Sequence, residues 1–263
     1  MRSSRRFPPS TTRNRPSGST PKRARIPKIS NFRRSNVIDI DESFRGTMVL
    51  FALKREASPF LRSCRDDRDI YVGITGIGLD RARAHVESLF AKRIRPRVVV
   101  MAGYAGALRP GLGVGDVIVA TEVVDASGTS WPTSWPMHPA RERRKTVLFT
   151  SQKIVGATSQ KRDLGRQFQA DAVDMESAAV AEACRQRGIP FGCVRAISDD
   201  VQTSLSPRLE RMLSAGRISA GRVCWEMVRS PRIVGEMVRL GRNTKRAGKE
   251  LAVALRQMLV AES

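Results

Sequence analysis

The chain has 263 residues, 41% of them hydrophobic, enough for one large domain or two small ones with a real core. No run approaches the ~18 uninterrupted apolar residues of a membrane span. Four cysteines (Cys64, Cys184, Cys193, Cys224) without a Cys-x-x-Cys pair, and only two histidines, argue against a Cys- or His-rich metal site. The formal charge of +22 sits mainly at the ends: residues 1–47 carry 12 Lys/Arg against 3 Asp/Glu, and residues 205–263 carry 12 against 5. A function argued from net charge therefore belongs to the ends and not to the middle.

Residues 1–47 are rich in Arg, Ser, Pro and Thr and lack apolar periodicity, so they are expected to be a disordered basic extension or a start-site artefact. Ser4-Arg5-Arg6-Phe7 hints at a twin-arginine signal. Pro8 and Pro9 follow it and no apolar stretch does, so export is not expected. With cysteines that read as free thiols, the expected compartment is the cytoplasm.

From Met48 onward, short apolar runs alternate with helical patterns. Met48–Leu53, Ile70–Ile74, Val98–Met101, Val117–Val124, Thr146–Phe149 and Phe191–Ile197 read as strands. Asp80–Arg95 reads as a helix. So does Met175–Arg187, with small packing residues and a stop at Gly188 and Pro190. The alternation predicts an α/β fold: a central mixed, largely parallel sheet flanked by helices, with a helical C-terminal extension. Ligands in such sheets bind just past the carboxyl ends of strands. Glycines stand at those places, in Gly73–Gly78, in Gly103-Tyr104-Ala105-Gly106 and at Gly111, Gly113 and Gly115; alone they are more often turns than sites.

Three carboxylates lie in apolar settings. Glu176 opens a small-residue helix, where it is either a helix-start acid favoured by the macrodipole or a functional charge. Asp199 and Asp200 end a buried strand, where the plain reading is a cap for the next element. Glu56 follows the first strand in a place usual for a helix-start residue. Cys184 and Cys193 read as small core residues, and Arg195 as the structural partner of a carboxylate.

Together these pieces resemble the nucleoside phosphorylase and nucleosidase superfamily, with the closest likeness to the 5′-methylthioadenosine/S-adenosylhomocysteine nucleosidases. The resemblance covers about residues 48–204 as the catalytic core. It rests on Val-Asp-Met-Glu-Ser-Ala-Ala at 173–179, Ile-Pro-Phe at 189–191 and Arg-Ala-Ile-Ser-Asp at 195–199. It implies that Asp199 protonates or hydrogen-bonds the imidazole side of a purine, that Glu176 accepts ribose hydroxyls, and that Glu56 orients and deprotonates water. It also implies that Met175 packs under the ribose and that Ile77, Gly103, Tyr104, Ala105 and Gly106 line sugar and base. Ile154 and Val155 would read the base edge through their backbone, and Ser198 stands in the motif beside Asp199. No metal or redox cofactor is implied, and a homodimer or larger oligomer is. The chemistry wants the same set: glycosidic cleavage makes the sugar positive and the base negative, so an acid near one and a carboxylate near the other stabilise both. Burial is expected to raise the carboxyl of Asp199.

The sequence departs from the family pattern in places. Tyr104 is bulkier than the small residue usual there and is expected to fill the nucleophile side, which favours water over phosphate. Gln152 replaces an Asp that helps position the base. Residues 127–145, with Trp131 and Trp135, look like a variable surface loop. Residues 205–263 end in a helix with Met237, Leu240, Ala247, Leu251, Leu255, Met258 and Leu259 on one seam. Arg239, Arg242, Lys245, Arg246 and Lys249 crowd its polar side, a solvated face or a weak contact for an anionic membrane. The leading reading is a purine nucleosidase using water; the alternatives are a phosphate-dependent phosphorylase and a non-catalytic nucleic-acid-binding or ligand-sensing protein on the same fold. Few aromatics and no recognised nucleic-acid motif weigh against specific nucleic-acid binding.

Overall fold

Strand β1 (Thr47–Phe51) is buried along its whole length, and its side chains alternate between two cores: Met48 and Leu50 enter one, Val49 and Phe51 the other. A strand covered on both faces has no solvent side, which is why the run is continuously apolar. The computed structural model describes residues 43–63, 69–135, 145–207, 210 and 231–261. Residues 1–42, Cys64, Cys224 and His138 lie outside them. Phe44, which the sequence placed in the basic extension, is buried and meets Tyr71 edge-on at 6.2 Å.

After β1 come α1 (Lys54–Ser63), β2 (Ile70–Ile74), α2 (Leu79–Ala91) and β3 (Val98–Ala107). The next stretch holds β4 (Val117–Val119), β5 (Glu122–Asp125), β6 (Ser130–Pro132), β7 (Val147–Thr150) and α3 (Thr158–Gln167). The chain closes with β8 (Ala172–Asp174), α4 (Ser177–Arg185), β9 (Phe191–Asp199) and α5 (Pro231–Ala261). The nine strands form one mixed sheet, and five of their eight pairings are parallel. This is the α/β architecture expected from the alternation of strands and helices. Helices α2 and α4 pack on one face, α1 and α5 on the other.

β3 organises the sheet. Its first half runs parallel to β1, most of its length runs parallel to β9, and its last two residues pair antiparallel with β8. β8, β7 and β5 continue from there, and the chain from β5 leads back through Ala120 and Thr121 to β4, which pairs with β9. The C-terminal half of β3 is thus one member of a closed circuit of strands, β3, β8, β7, β5, β4 and β9, completed by the chain link between β4 and β5.

Several expected boundaries move. Val117–Val124 is two strands and not one, because β4 takes β9 as an antiparallel partner while β5 takes β7 in parallel. The helix expected to Arg95 stops at Ala91; Arg93 has φ 58, and Ile94 turns into the core. The helix expected from Met175 begins at Ser177, and Gly188 with φ 63 supplies the left-handed stop. The segment taken as a surface loop contains β6, and its tryptophans are core: Trp131 and Trp135 are buried, with Trp131 Nε1 donating to Glu182 at 2.7 Å. Residues 136–144 lie outside the described set. In α5, Ala247, Leu251, Leu255 and Leu259 are buried on the seam read from the sequence, while the basic side chains at 239, 242, 245, 246 and 249 are exposed.

Candidate active site

The loop after β2 and the glycines of β3 gather carboxylates from α1, from the β8–α4 junction and from the end of β9. Glu56 is the third residue of α1, and its Oε2 accepts the Leu53 N–H at 3.1 Å, the back-bond of a helix start. The plain reading therefore holds for one hydrogen bond. The carboxylate is nonetheless buried at 7% exposure, on the sheet side of the helix. A Cβ at Gly103 would stand 3.2 Å from Glu56 Oε2 and would run into Arg195 Nη1. Only glycine lets these two groups meet over β3.

Arg195, in the middle of β9, is 1% exposed. Its Nη2 donates to Asp174 Oδ2 and to Ser177 Oγ at 2.8 Å, and lies 4.0 Å from Glu176 Oε2. Asp174 ends β8; its Oδ1 accepts from Thr150 Oγ1 at 2.8 Å and its Oδ2 from the Ser177 N–H at 3.0 Å. The structural pairing expected of Arg195 is thus with Asp174. Cys193, also on β9, is a buried free thiol 3.1 Å from Ser177 Oγ, and Cys184 is likewise buried and free.

Glu176 occupies the N-cap position of α4 but makes no side-chain cap bond. Its Oε1 accepts instead the N–H of Gly78 at 2.9 Å, at the start of α2. Gly78 has φ 92, which L side chains rarely adopt, so the donor is presented by a glycine turn. Burial pushes the carboxyl of Glu176 up to about 7, with Asp174 adding to the rise and Arg195 and the Gly78 N–H opposing it. Burial also raises Glu56, against the pull of Arg195. Burial opposes the charge of Arg195, but Asp174, Cys193, Glu176 and Glu56 outweigh it and hold the guanidinium ionised. Three carboxyls surround one guanidinium in a dry setting, so ionising all of them together is costly.

Asp199 stands apart. A bulge between Ala105 and Gly106 places Asp199 opposite Gly106, and a Cβ there would lie 2.9 Å from Asp199 Oδ2. Ser198 Oγ donates to Asp199 Oδ1 at 2.7 Å and contacts the Ala105 carbonyl at 3.3 Å. Lys161 Nζ donates to Asp199 Oδ2 at 2.5 Å. The burial-raised carboxyls of this site are Glu56 and Glu176; the Asp199 side chain keeps 17% exposure and is ion-paired with Lys161. The cap expected for the aspartate pair falls on Asp200, whose Oδ1 accepts from the Gln202 and Thr203 backbone and from Thr203 Oγ1. That leaves Asp199 free of the turn.

Gly103 and Gly106 are three residues apart on β3, about 10 Å along a strand. The two carboxylate stations are therefore separated by a length of the order of a nucleoside. Met175 is half-buried between β8 and α4, and Ile77 is 40% exposed in the glycine turn above them. Val155 joins a small core with Leu108, Phe149 and Val173, so what it offers outward is backbone; Ile154 beside it is half-buried. The ring of Tyr104 leaves β3 on the face covered by α5 and by α1, the helix that carries Glu56, and a Cβ on Gly248 would stand 2.6 Å from its hydroxyl. Burial, with the nearby charge of Glu56, pushes its phenol up to about 12.

Asp174 and Lys161 were not picked out from the sequence as site residues. Asp174 lies in the 173–179 motif two residues before Glu176, and its pairing with Arg195 comes from a strand that no local pattern links to it. Among the described residues no group of three His, Cys, Asp or Glu side chains could hold a metal ion.

The chain matches the phosphorylase superfamily over residues 63–146 and 138–228, and it belongs to that superfamily. It is 25% identical over 224 residues to a 5′-methylthioadenosine/S-adenosylhomocysteine nucleosidase of Staphylococcus epidermidis, covering 69% of this chain and 98% of the relative. It is 26% identical over 188 residues to the protein of the same name in Staphylococcus aureus, covering 62% and 82%. Among solved structures, the Helicobacter pylori nucleosidase of that name with butyl-thio-DADMe-Immucillin-A aligns with TM-score 0.62 at 18% identity, over 83% of this chain and 99% of that one. The native futalosine hydrolase of the same organism aligns with TM-score 0.61 at 19% identity, over 84% and 99%. Both share the fold.

Proposed function

We propose that the chain hydrolyses the N-glycosidic bond of a purine nucleoside, with methylthioadenosine, S-adenosylhomocysteine or another 5′-substituted adenosine as substrate. The observation that carries this is the placement of two burial-raised carboxyls around one buried arginine at Gly103, with a separate carboxylate at Gly106. The names of the relatives at 25 and 26% identity point to the same substrates.

The roles follow from the positions. Water is held by Glu56 and attacks the anomeric carbon as the bond to the base nitrogen breaks. The bonding electrons leave with the purine, whose imidazole nitrogen takes a proton from solvent and donates the resulting N–H to the Asp199 carboxylate. The water proton passes to Glu56, whose carboxyl, raised by burial, is a stronger base than an ordinary carboxylate. Glu176 accepts the ribose hydroxyls, Met175 packs under the sugar, and Ile77 covers its outer side. Gly103, Ala105 and Gly106 form the floor, and the backbone of Ile154 and Val155 meets the base edge, with Ser198 steadying Asp199.

The test is free-base release from methylthioadenosine, S-adenosylhomocysteine, adenosine and inosine by the full chain, with and without phosphate. Release in phosphate-free buffer is expected. Strictly phosphate-dependent release would make the chain a phosphorylase, and no release from any substrate would favour a ligand-sensing role.

The same reading places the protein in the cytoplasm as a homo-oligomer, with water as co-substrate. Support comes from the unpaired thiols of Cys184 and Cys193 and from the family resemblance. The exposed basic face of α5 suits weak contact with an anionic membrane surface, and no described helix is long and apolar enough to cross one. Flotation with phosphatidylserine vesicles at low salt checks that contact.

A further inference from the structure

Lys161 is completely buried, at 0% exposure, in a helix whose other residues are mostly polar and accessible. An ammonium so placed needs a partner for each of its hydrogens. It has three: Asp199 Oδ2 at 2.5 Å, the Asp200 carbonyl at 2.8 Å and the Thr203 carbonyl at 3.0 Å. All three acceptors belong to the five residues that end β9 and turn away from it. The two backbone acceptors fix where Nζ sits, and Nζ in turn fixes one oxygen of Asp199. Ser198 Oγ holds the other oxygen at 2.7 Å. The carboxylate is therefore gripped at both oxygens, by groups from the strand and from α3, while its side chain keeps 17% exposure and Oδ2 lies against Gly106.

Resting on the reading that Asp199 serves the departing base, we propose that Lys161 is a positioning residue for that carboxylate, setting its orientation and charge environment for the leaving group. Lys161 has no place near the sugar station, whose contacts are made by Glu56, Glu176 and Arg195. Its influence is confined to the base side of the reaction. A residue of that kind matters in proportion to how much help the leaving group needs. A purine needs help, and a nitrophenolate does not.

The experiment compares kcat and KM of wild type, Lys161→Met, Lys161→Arg and Asp199→Asn in the full chain on two substrates. One is the best purine nucleoside of the release assay; the other is 4-nitrophenyl β-D-ribofuranoside. For Lys161→Met the expected result is a fall of about 10²-fold in kcat on the nucleoside, the scale of a misplaced catalytic group, with KM little changed and nitrophenyl riboside turnover retained. Lys161→Arg, which keeps charge and donors, recovers part of the loss. Asp199→Asn shows the same selectivity between substrates. Equal losses on both substrates in Lys161→Met would mean a structural role only and would overturn the proposal, as would unchanged turnover of the nucleoside. If Asp199→Asn shows the selectivity and Lys161→Met does not, the proposal fails while the glycosidase reading stands. Wild type that cleaves neither substrate overturns both.

Discussion

Arg195 and Glu56 approach each other over the backbone of Gly103, from strand β9 on one side and helix α1 on the other. Neither element is a neighbour of the other in sequence. What brings them together is that β3 pairs with β9 in a register that sets Gly103 against Arg195, while α1 leaves β1 on the other flank of β3.

Gly103→Ala tests this closeness directly. The added methyl group meets a guanidinium that cannot move without leaving Asp174 and Ser177. We expect a loss of about 1–3 kcal/mol in stability from overpacking, read as a lower urea midpoint, and at least a ten-fold fall in base release.

Glu56→Gln keeps the size of the side chain and removes its capacity as a base. Base release is expected to fall by about 10²–10⁴-fold. In wild type, the acid limb of the kcat profile should lie above the ordinary carboxyl value of 4.5, because burial raises Glu56 and only its ionised form accepts a proton. A limb at or below that value would remove Glu56 from the role of base.

Glu176 makes stability depend on pH. Its folded value of about 7 is above the ordinary 4.5, so between these values the folded chain holds a proton that the unfolded chain has released. The stabilisation is fully present below about 4.5 and is lost as pH rises through 7, an effect of the order of a few kcal/mol. Glu176→Gln should flatten this part of the profile and be more stable than wild type at pH 8. Denaturant midpoints at pH 5 and pH 8 measure both effects.

Asp199→Asn is expected to lower base release from nucleosides by about 10²–10⁴-fold without lowering the urea midpoint in proportion. Full turnover in this variant would end the assignment of Asp199 to the leaving base.

The strands and the carboxylates were legible in the sequence for different reasons. Ile70–Ile74 matches its strand to the residue, and Phe191–Ile197 is short by two, because buried parallel strands leave an unbroken apolar run. Val117–Val124 misled for the same reason: the run shows burial but not the change of partner at Ala120. Helix α3 was missed because Thr158–Gln167 has almost no apolar residues, and its one fully buried side chain is a lysine. The burial of Lys161 depends on carbonyls about forty residues further on, which no local pattern can show. Trp131 and Trp135 were misplaced because the prolines around them signal turns, while their partners, Glu182 and the Gly192 backbone, come from distant elements.

The charge cluster also bears on how such a chain can change over generations. Removing Arg195 alone would strand Asp174, Glu176 and Glu56 as unbalanced acids in a dry interior; removing one acid alone shifts the protonation of the others. Loss of Arg195 is therefore penalised in folding before it is penalised in function, whereas Glu176 can be lost on its own. A descendant that abandoned the reaction would be held to this arginine until at least one of the acids around it had gone first.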